Sequence, residues 1–156
     1  MTRKILAVDH SRCTGCRLCE IACSLHQDGV VNPAAARLAI VRWDEEAVHV
    51  PAVCQQCDVA MCEQVCQPGA ISRNAATGAL TVDYRLCIGC RMCIIGCPYG
   101  AMAVHPVGLQ VTKCDLCGGE PRCVRFCETG ALRFIEPEAV AFGKRVATAR
   151  TMRGSE

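Results

Sequence analysis

Short apolar runs alternate with turn-forming clusters along most of the chain, a pattern that predicts brief strands and hairpins rather than long helices. Residues 4–8 (KILAV) read as a strand. Residues 38–43 and 48–50 read as a hairpin closed by Asp44, Glu45 and Glu46. Residues 70–73 and 80–82 flank a turn at 74–78, and residues 102–105 and 109–112 flank Pro106, Val107 and Gly108. Residues 132–135 form a last strand. Four short helices are predicted at about 19–26, 62–66, 93–97 and 123–127, none long enough to be stable alone. Residues 137–152 differ: Pro137 suits a first helical turn, and Ala139, Phe142, Val146 and Ala149 make an apolar stripe. Lys144, Arg145, Arg150 and Arg153 add positive charge. Such a helix either packs on its own domain or serves as a docking arm.

Composition changes the picture sharply. Sixteen of the 156 residues are Cys, whereas aromatic residues are few: Trp43, Tyr84, Tyr99, Phe126, Phe134 and Phe142. A core of large side chains is therefore thin, and cross-links or metal must help to hold the interior. The cysteines fall into four groups: Cys13, Cys16, Cys19, Cys23; Cys54, Cys57, Cys62, Cys66; Cys87, Cys90, Cys93, Cys97; and Cys114, Cys117, Cys123, Cys127. Groups one and three follow C-x2-C-x2-C-x3-C, the run that binds iron–sulfur cubes in bacterial two-cluster ferredoxins. Three close thiolates reach three corners of one cube, while the fourth, one helical turn on, faces a neighbouring cube. Gly15 and Gly89 let the backbone curl closely around the inorganic core. Groups two and four widen the middle gap to four and five residues.

Other readings of the cysteines exist. A disulfide scaffold suits a secreted chain, but no apolar stretch resembling a secretory signal precedes Cys13. Structural zinc favours two well-separated C-x2-C knuckles and fits four crowded thiols poorly. A [3Fe–4S] site normally lacks one ligand, and no group is short. The expectation is four [4Fe–4S] clusters in a cytoplasmic protein without a membrane span. A formal charge of +2 leaves no footprint for nucleic acid. Four oxidised clusters, each adding two negative charges with its thiolates, turn it to about −6.

A repeat follows three of the groups: QPGAI (67–71), PYGAM (98–102) and ETGAL (128–132), each a turn feeding a strand. With the four cysteine groups it marks duplicated ferredoxin modules. From Cys13 to Leu132 the chain resembles the four-cluster ferredoxin-like electron-transfer subunits of multi-subunit oxidoreductases. The compact fourth group and the stretch CSLHQDGVVNPAAARL look most like the small subunit beside tungsten aldehyde oxidoreductase.

The resemblance implies an α+β fold of two fused modules, the inner inserted in the outer. Residues 1–136 would form the double domain, the outer module at about 1–35 and 105–136 and the inner at about 50–104. Residues 137–156 would form a docking tail. It also implies interleaved ligand sets: Cys13, Cys16, Cys19 with Cys127; Cys114, Cys117, Cys123 with Cys23; Cys54, Cys57, Cys62 with Cys97; and Cys87, Cys90, Cys93 with Cys66. Pro98 follows the last Cys only in group three, where groups two and four have Gln67 and Glu128. The implied partners are a large tungsten- or molybdenum-pterin subunit and, in some complexes, a flavin subunit meeting NAD(H); separately, the helix at 137–152 offers a docking arm for that large subunit or for an end-to-end copy of this chain. Hydrogenase, formate or carbon monoxide dehydrogenase complexes, or a free polyferredoxin carrier, are the alternatives.

Function on this reading is conduction of single electrons, which needs no acid–base pair or nucleophile. No phosphate-cradling glycine loop or catalytic triad is recognisable. His10, His26, His49 and His105 read as surface or turn residues, and Trp43 as hairpin packing. Arg12, Arg17, Arg85 and Arg91 beside the cysteine loops read as solvated charges or as screens for cluster anions.

Overall fold

A computed structural model describes residues 4–153; the three residues at each end of the predicted domains lie outside that span. Eight strands form four separate two-stranded antiparallel sheets. Strand β1 (Ile5–Val8) pairs with β8 (Leu132–Ile135), Ile5 opposite Ile135 and Val8 opposite Leu132. The other pairs are local hairpins: β2 (Ala39–Trp43) with β3 (Val48–Ala52), β4 (Ile71–Arg73) with β5 (Leu80–Val82), and β6 (Met102–Val104) with β7 (Val111–Lys113). Helix α1 (Leu18–Asp28) is the longest within the cysteine region. The other three are single turns: α2 (Met61–Gln64), α3 (Met92–Ile95) and α4 (Arg122–Arg125). Helix α5 (Pro137–Met152) follows β8.

Local chemistry sets the element ends. Gly29 closes α1 at φ +73°, its N–H donating to the Leu25 carbonyl at 3.0 Å. Helices α2, α3 and α4 each end two residues before the predicted 66, 97 and 127, and two predicted strands shift by as much. Residues 109–112 do not all join a strand: Leu109 adopts φ +56° and its N–H closes a turn on the His105 carbonyl, so β7 begins at Val111. The strand predicted at 48–50 continues to Ala52 through the buried Pro51, which sits opposite Ile40 in a two-stranded sheet where a missing donor is tolerated.

The interior is divided between two apolar clusters, and cysteines build much of each. Leu6, Cys19, Cys23, Leu38, Val53, Leu116, Cys123 and Leu132 belong to one, with Cys114 and Cys127 against it. Ala60, Ile71, Leu80, Cys93, Met102 and Val111 belong to the other, with Cys57, Cys62, Cys66 and Cys97 against it. Groups one and four thus share one cluster, and groups two and three share the other.

Polar links tie these regions together. Arg37 reaches both carboxylate oxygens of Asp28, one at 2.9 Å, and His105 Nε2 lies 3.5 Å from the same carboxylate. By contrast, α5 buries none of its residues, and Phe142 is 67% exposed. The predicted apolar stripe therefore meets water. Among the described residues no helix is long and apolar enough to cross a membrane.

Candidate metal centres

Each cysteine group begins with a loop that reverses tightly before its second Cys. The residue preceding that Cys is left-handed in all four loops: Gly15 at φ +69°, Gln56 at +50°, Gly89 at +70° and Leu116 at +58°. Glycine adopts this conformation freely, whereas Gln56 and Leu116 hold it at a steric cost. Arg17 and Arg91, following the second Cys of groups one and three, are left-handed too and start α1 and α3. A Cβ on Gly15 would stand 2.9 Å from the His49 ring, so β3 and the first loop touch there.

These loops bring cysteines from different groups around common spaces. Cys13, Cys16, Cys19 and Cys127 line one small cavity, with Ile40, Pro51 and Leu132. Cys54, Cys57, Cys62 and Cys97 line a second, with Ala60, Met61, Leu80 and Met102. Cys66, Cys87, Cys90 and Cys93 line a third, with Ile71, Ile88 and Val111. Cys23 shares the first apolar cluster with Cys114 and Cys123, and Gln27, one turn further along α1, donates to Asp115, whose carboxylate also accepts the Cys117 N–H.

Burial and neighbouring sulfurs act together on the thiols. Burial pushes Cys19 up to about 12, with Glu20 and then Cys16 and Cys127 adding to it. Burial also raises Cys123, reinforced by Cys114, Cys23, Cys117 and Cys19. Burial raises Cys62, opposed by the positive charge of Lys113 and reinforced by Cys54 and Cys97. Burial raises Cys93, and Cys66 and Cys90 push the same way. Four thiolates at such sites repel one another and require strong cationic compensation. Backbone donors already point at several sulfurs: Arg37 N–H at Cys23 (3.2 Å), Ala101 N–H at Cys97 (3.4 Å) and Leu132 N–H at Cys127 (3.4 Å). Such donors stabilise thiolate ligands and tune bound metal.

The donor set fits a polynuclear group better than a single ion. A zinc tetrahedron with Zn–S near 2.3 Å places its sulfurs about 3.8 Å apart. Among the described residues no three Cys, His, Asp or Glu converge closely enough for one ion. All sixteen cysteines are free thiols, and quartets of them surround three apolar spaces. Sulfur-only donors spread around such a space suit an iron–sulfide core.

Other singled-out residues take ordinary places. His105 Nδ1 accepts the Val107 and Gly108 N–H groups in a turn. Trp43 is half exposed at the end of β2. Arg85 pairs with Asp83 at 2.9 Å, and Arg17 pairs with the buried Glu20. Two residues escaped sequence reasoning. Lys113 is 5% exposed and Gln56 3%; Gln56 Nε2 donates to the Cys114 carbonyl at 2.8 Å, and its Oε1 accepts the Leu80 N–H at 2.8 Å. Their only sequence signal is position: Lys113 directly precedes the fourth group, and Gln56 lies inside the second.

Residues 45–137 match the 4Fe-4S dicluster domain family, and residues 10–28 match a 4Fe-4S binding domain. The polyferredoxin-like subunit of aliphatic sulfonate oxidoreductase from Pyrococcus furiosus is 38% identical over 123 residues, 78% of this chain and 70% of that one. The electron transport protein HydN of Escherichia coli is 38% identical over 161 residues, covering 87% and 89%. Protein NrfC of Escherichia coli is 39% identical over 141 residues, but this chain spans only 62% of its length. Among solved structures, a chain of the active site complex BamBC of benzoyl coenzyme A reductase shares the fold, with a TM-score of 0.52 at 23% identity over 96% of this chain and 92% of that one. Sulfur-lined sites, short strands and helices, and these relatives agree: the chain belongs to the 4Fe-4S dicluster family and is an iron–sulfur electron-transfer subunit of the kind found in oxidoreductase complexes.

Proposed function

We propose that the chain carries four [4Fe–4S] clusters and relays single electrons between a catalytic subunit and a second redox partner. The first site takes Cys13, Cys16, Cys19 and Cys127; the second Cys114, Cys117, Cys123 and Cys23; the third Cys54, Cys57, Cys62 and Cys97; the fourth Cys87, Cys90, Cys93 and Cys66. One observation carries this reading: three sulfur-lined cavities each take three cysteines from one group and one from another. The clusters supply one-electron redox chemistry. The chain's residues hold them, exclude water with apolar walls, and donate N–H groups to the sulfurs.

Packing supports a linear order. Cys19 of the first site and Cys123 of the second share one apolar cluster, and Gln56, beside Cys57 of the third site, donates to the Cys114 carbonyl of the second. The third and fourth sites share one apolar cluster. The path then runs one–two–three–four, across an inner module inserted in an outer one.

The catalytic partner in this reading is a tungsten- or molybdenum-pterin subunit, an aldehyde oxidoreductase by family resemblance, and α5 with its exposed Phe142 and Met152 is the arm that meets it. The chain isolated anaerobically and fully reconstituted should hold about sixteen iron atoms. A markedly lower count ends the four-cluster reading. Removal of residues 138–156 should leave iron content intact and release the large subunit on size-exclusion chromatography; a complex of unchanged size removes the docking role. Tungsten or molybdenum in the co-purifying subunit tests the partner.

A further inference from the structure

Lys113 ends β7 immediately before the fourth cysteine group, and its side chain runs inward rather than to solvent. Its ammonium lies 3.3 Å from Cys54 Sγ, 3.3 Å from Gln56 Oε1, 2.9 Å from the Leu80 carbonyl and 3.1 Å from the Cys114 carbonyl. Among the described residues no carboxylate forms an ion pair with it. Burying an uncompensated ammonium is unfavourable. Carbonyl and amide oxygens meet its hydrogen bonds, but the anion it faces is the sulfur of Cys54. The same side chain lines the cavity of the third site, whereas toward the second site it touches only a backbone oxygen. Lys113 therefore sits at the join between the two apolar clusters, one positive charge beside a thiolate-ligated group.

We propose that Lys113 is a positioning residue for electron flow: its buried charge raises the reduction potential of the third site relative to its neighbours and holds the Cys54 loop against Cys114. The inference rests on the four-cluster reading above. A fixed cation next to a cluster favours the reduced, more negative state, and low local polarity leaves that interaction poorly screened. Gln56 shares the task by orienting the ammonium, since its Oε1 accepts from Lys113 while its Nε2 bridges to Cys114. The third site then becomes the place where an electron crossing from the second site comes to rest.

The test compares the reconstituted wild-type chain with Lys113→Met and Lys113→Arg, using iron counts and redox titrations read by electron paramagnetic resonance. Lys113→Met should keep the full iron count, and one cluster should show at least a tenfold lower reduced-to-oxidised ratio at the potential that half-reduces it in the wild type. That ratio corresponds to about 59 mV for one electron. The second-site signal should move less, since the ammonium meets only the Cys114 carbonyl there, the first and fourth should stay put, and Lys113→Arg should restore the shifted one. Full loading with no shift overturns the proposal. Where Lys113→Met loses iron, Lys113→Gln keeps polar contacts without charge: a shifted signal upholds the proposal, whereas iron loss or an unmoved potential overturns it. A wild-type chain far short of sixteen iron atoms overturns the four-cluster reading itself, a separate failure.

Discussion

Two glycines with the same backbone sign make different demands on this chain. Gly15 and Gly29 sit at φ +69° and +73°, yet a Cβ on Gly15 meets the His49 ring at 2.9 Å while one on Gly29 meets open space. Gly29→Ala should therefore cost only the left-handed strain of about 1 kcal/mol. Gly15→Ala should cost about 1–3 kcal/mol and loosen the first loop. Thermal unfolding of the two loaded variants compares them directly, and equal losses would remove the steric role given to His49. The glycines were legible because turn chemistry advertises itself. Gln56 and Leu116 take the matching left-handed position without being glycine, and nothing in their residue type announces it. Lys113 was equally hidden: a lysine beside a cysteine group reads as a solvated charge. Only the approach of loops more than fifty residues apart makes it buried.

Elements carry the crossing of the cysteine groups. In each, a loop presents the first two thiols and a helix carries the third; in the fourth group α4 carries Cys123, and the chain leaving its end brings Cys127 to the cavity of the first loop. With ligands assigned as proposed, Cys127→Ser should disturb the cluster on the Cys13 loop and spare the one on the Cys114 loop. Resonance signals and a loss of up to about four iron atoms check this; disturbance of the Cys114 site instead would reverse the pairing. A second element-level feature is the tie from the end of α1 to the following loop. The Arg37 guanidinium holds the Asp28 carboxyl below its ordinary value of 3.8 against the opposing effect of burial. A depressed carboxylate stabilises the fold above its unfolded value and loses that contribution only as pH falls through the folded one. At pH 8 the contribution is complete, so Asp28→Asn should lower stability there by about 1–2 kcal/mol, read from urea midpoints. Strand positions were largely readable because turn signals bracket them. The exceptions, the late start of β7 and the run of β3 through Pro51, turn on a left-handed Leu109 and on edge pairing, which follow from partners distant in sequence or from unfavoured conformations.

At the scale of the molecule, the interior is held less by large side chains than by cysteines around spaces meant for iron. The largest fully buried side chains are Leu80, Leu116, Val111 and Ser24, a sparse set for a domain of this length. Removal of iron by a chelator under reducing conditions should therefore collapse the far-ultraviolet circular dichroism of the short helices together, in one step with metal loss. Retention of native dichroism in the iron-free chain would mean that packing alone suffices. Strands β1 and β8 enclose nearly everything else between them. On a ribosome, the three local hairpins are free to zip as each emerges, whereas β1 must wait, unpaired, until residue 132 has been made. Cys13, Cys16 and Cys19 likewise wait for Cys127, so scavenging of stray metal and oxidant is a hazard of birth order concentrated on that loop.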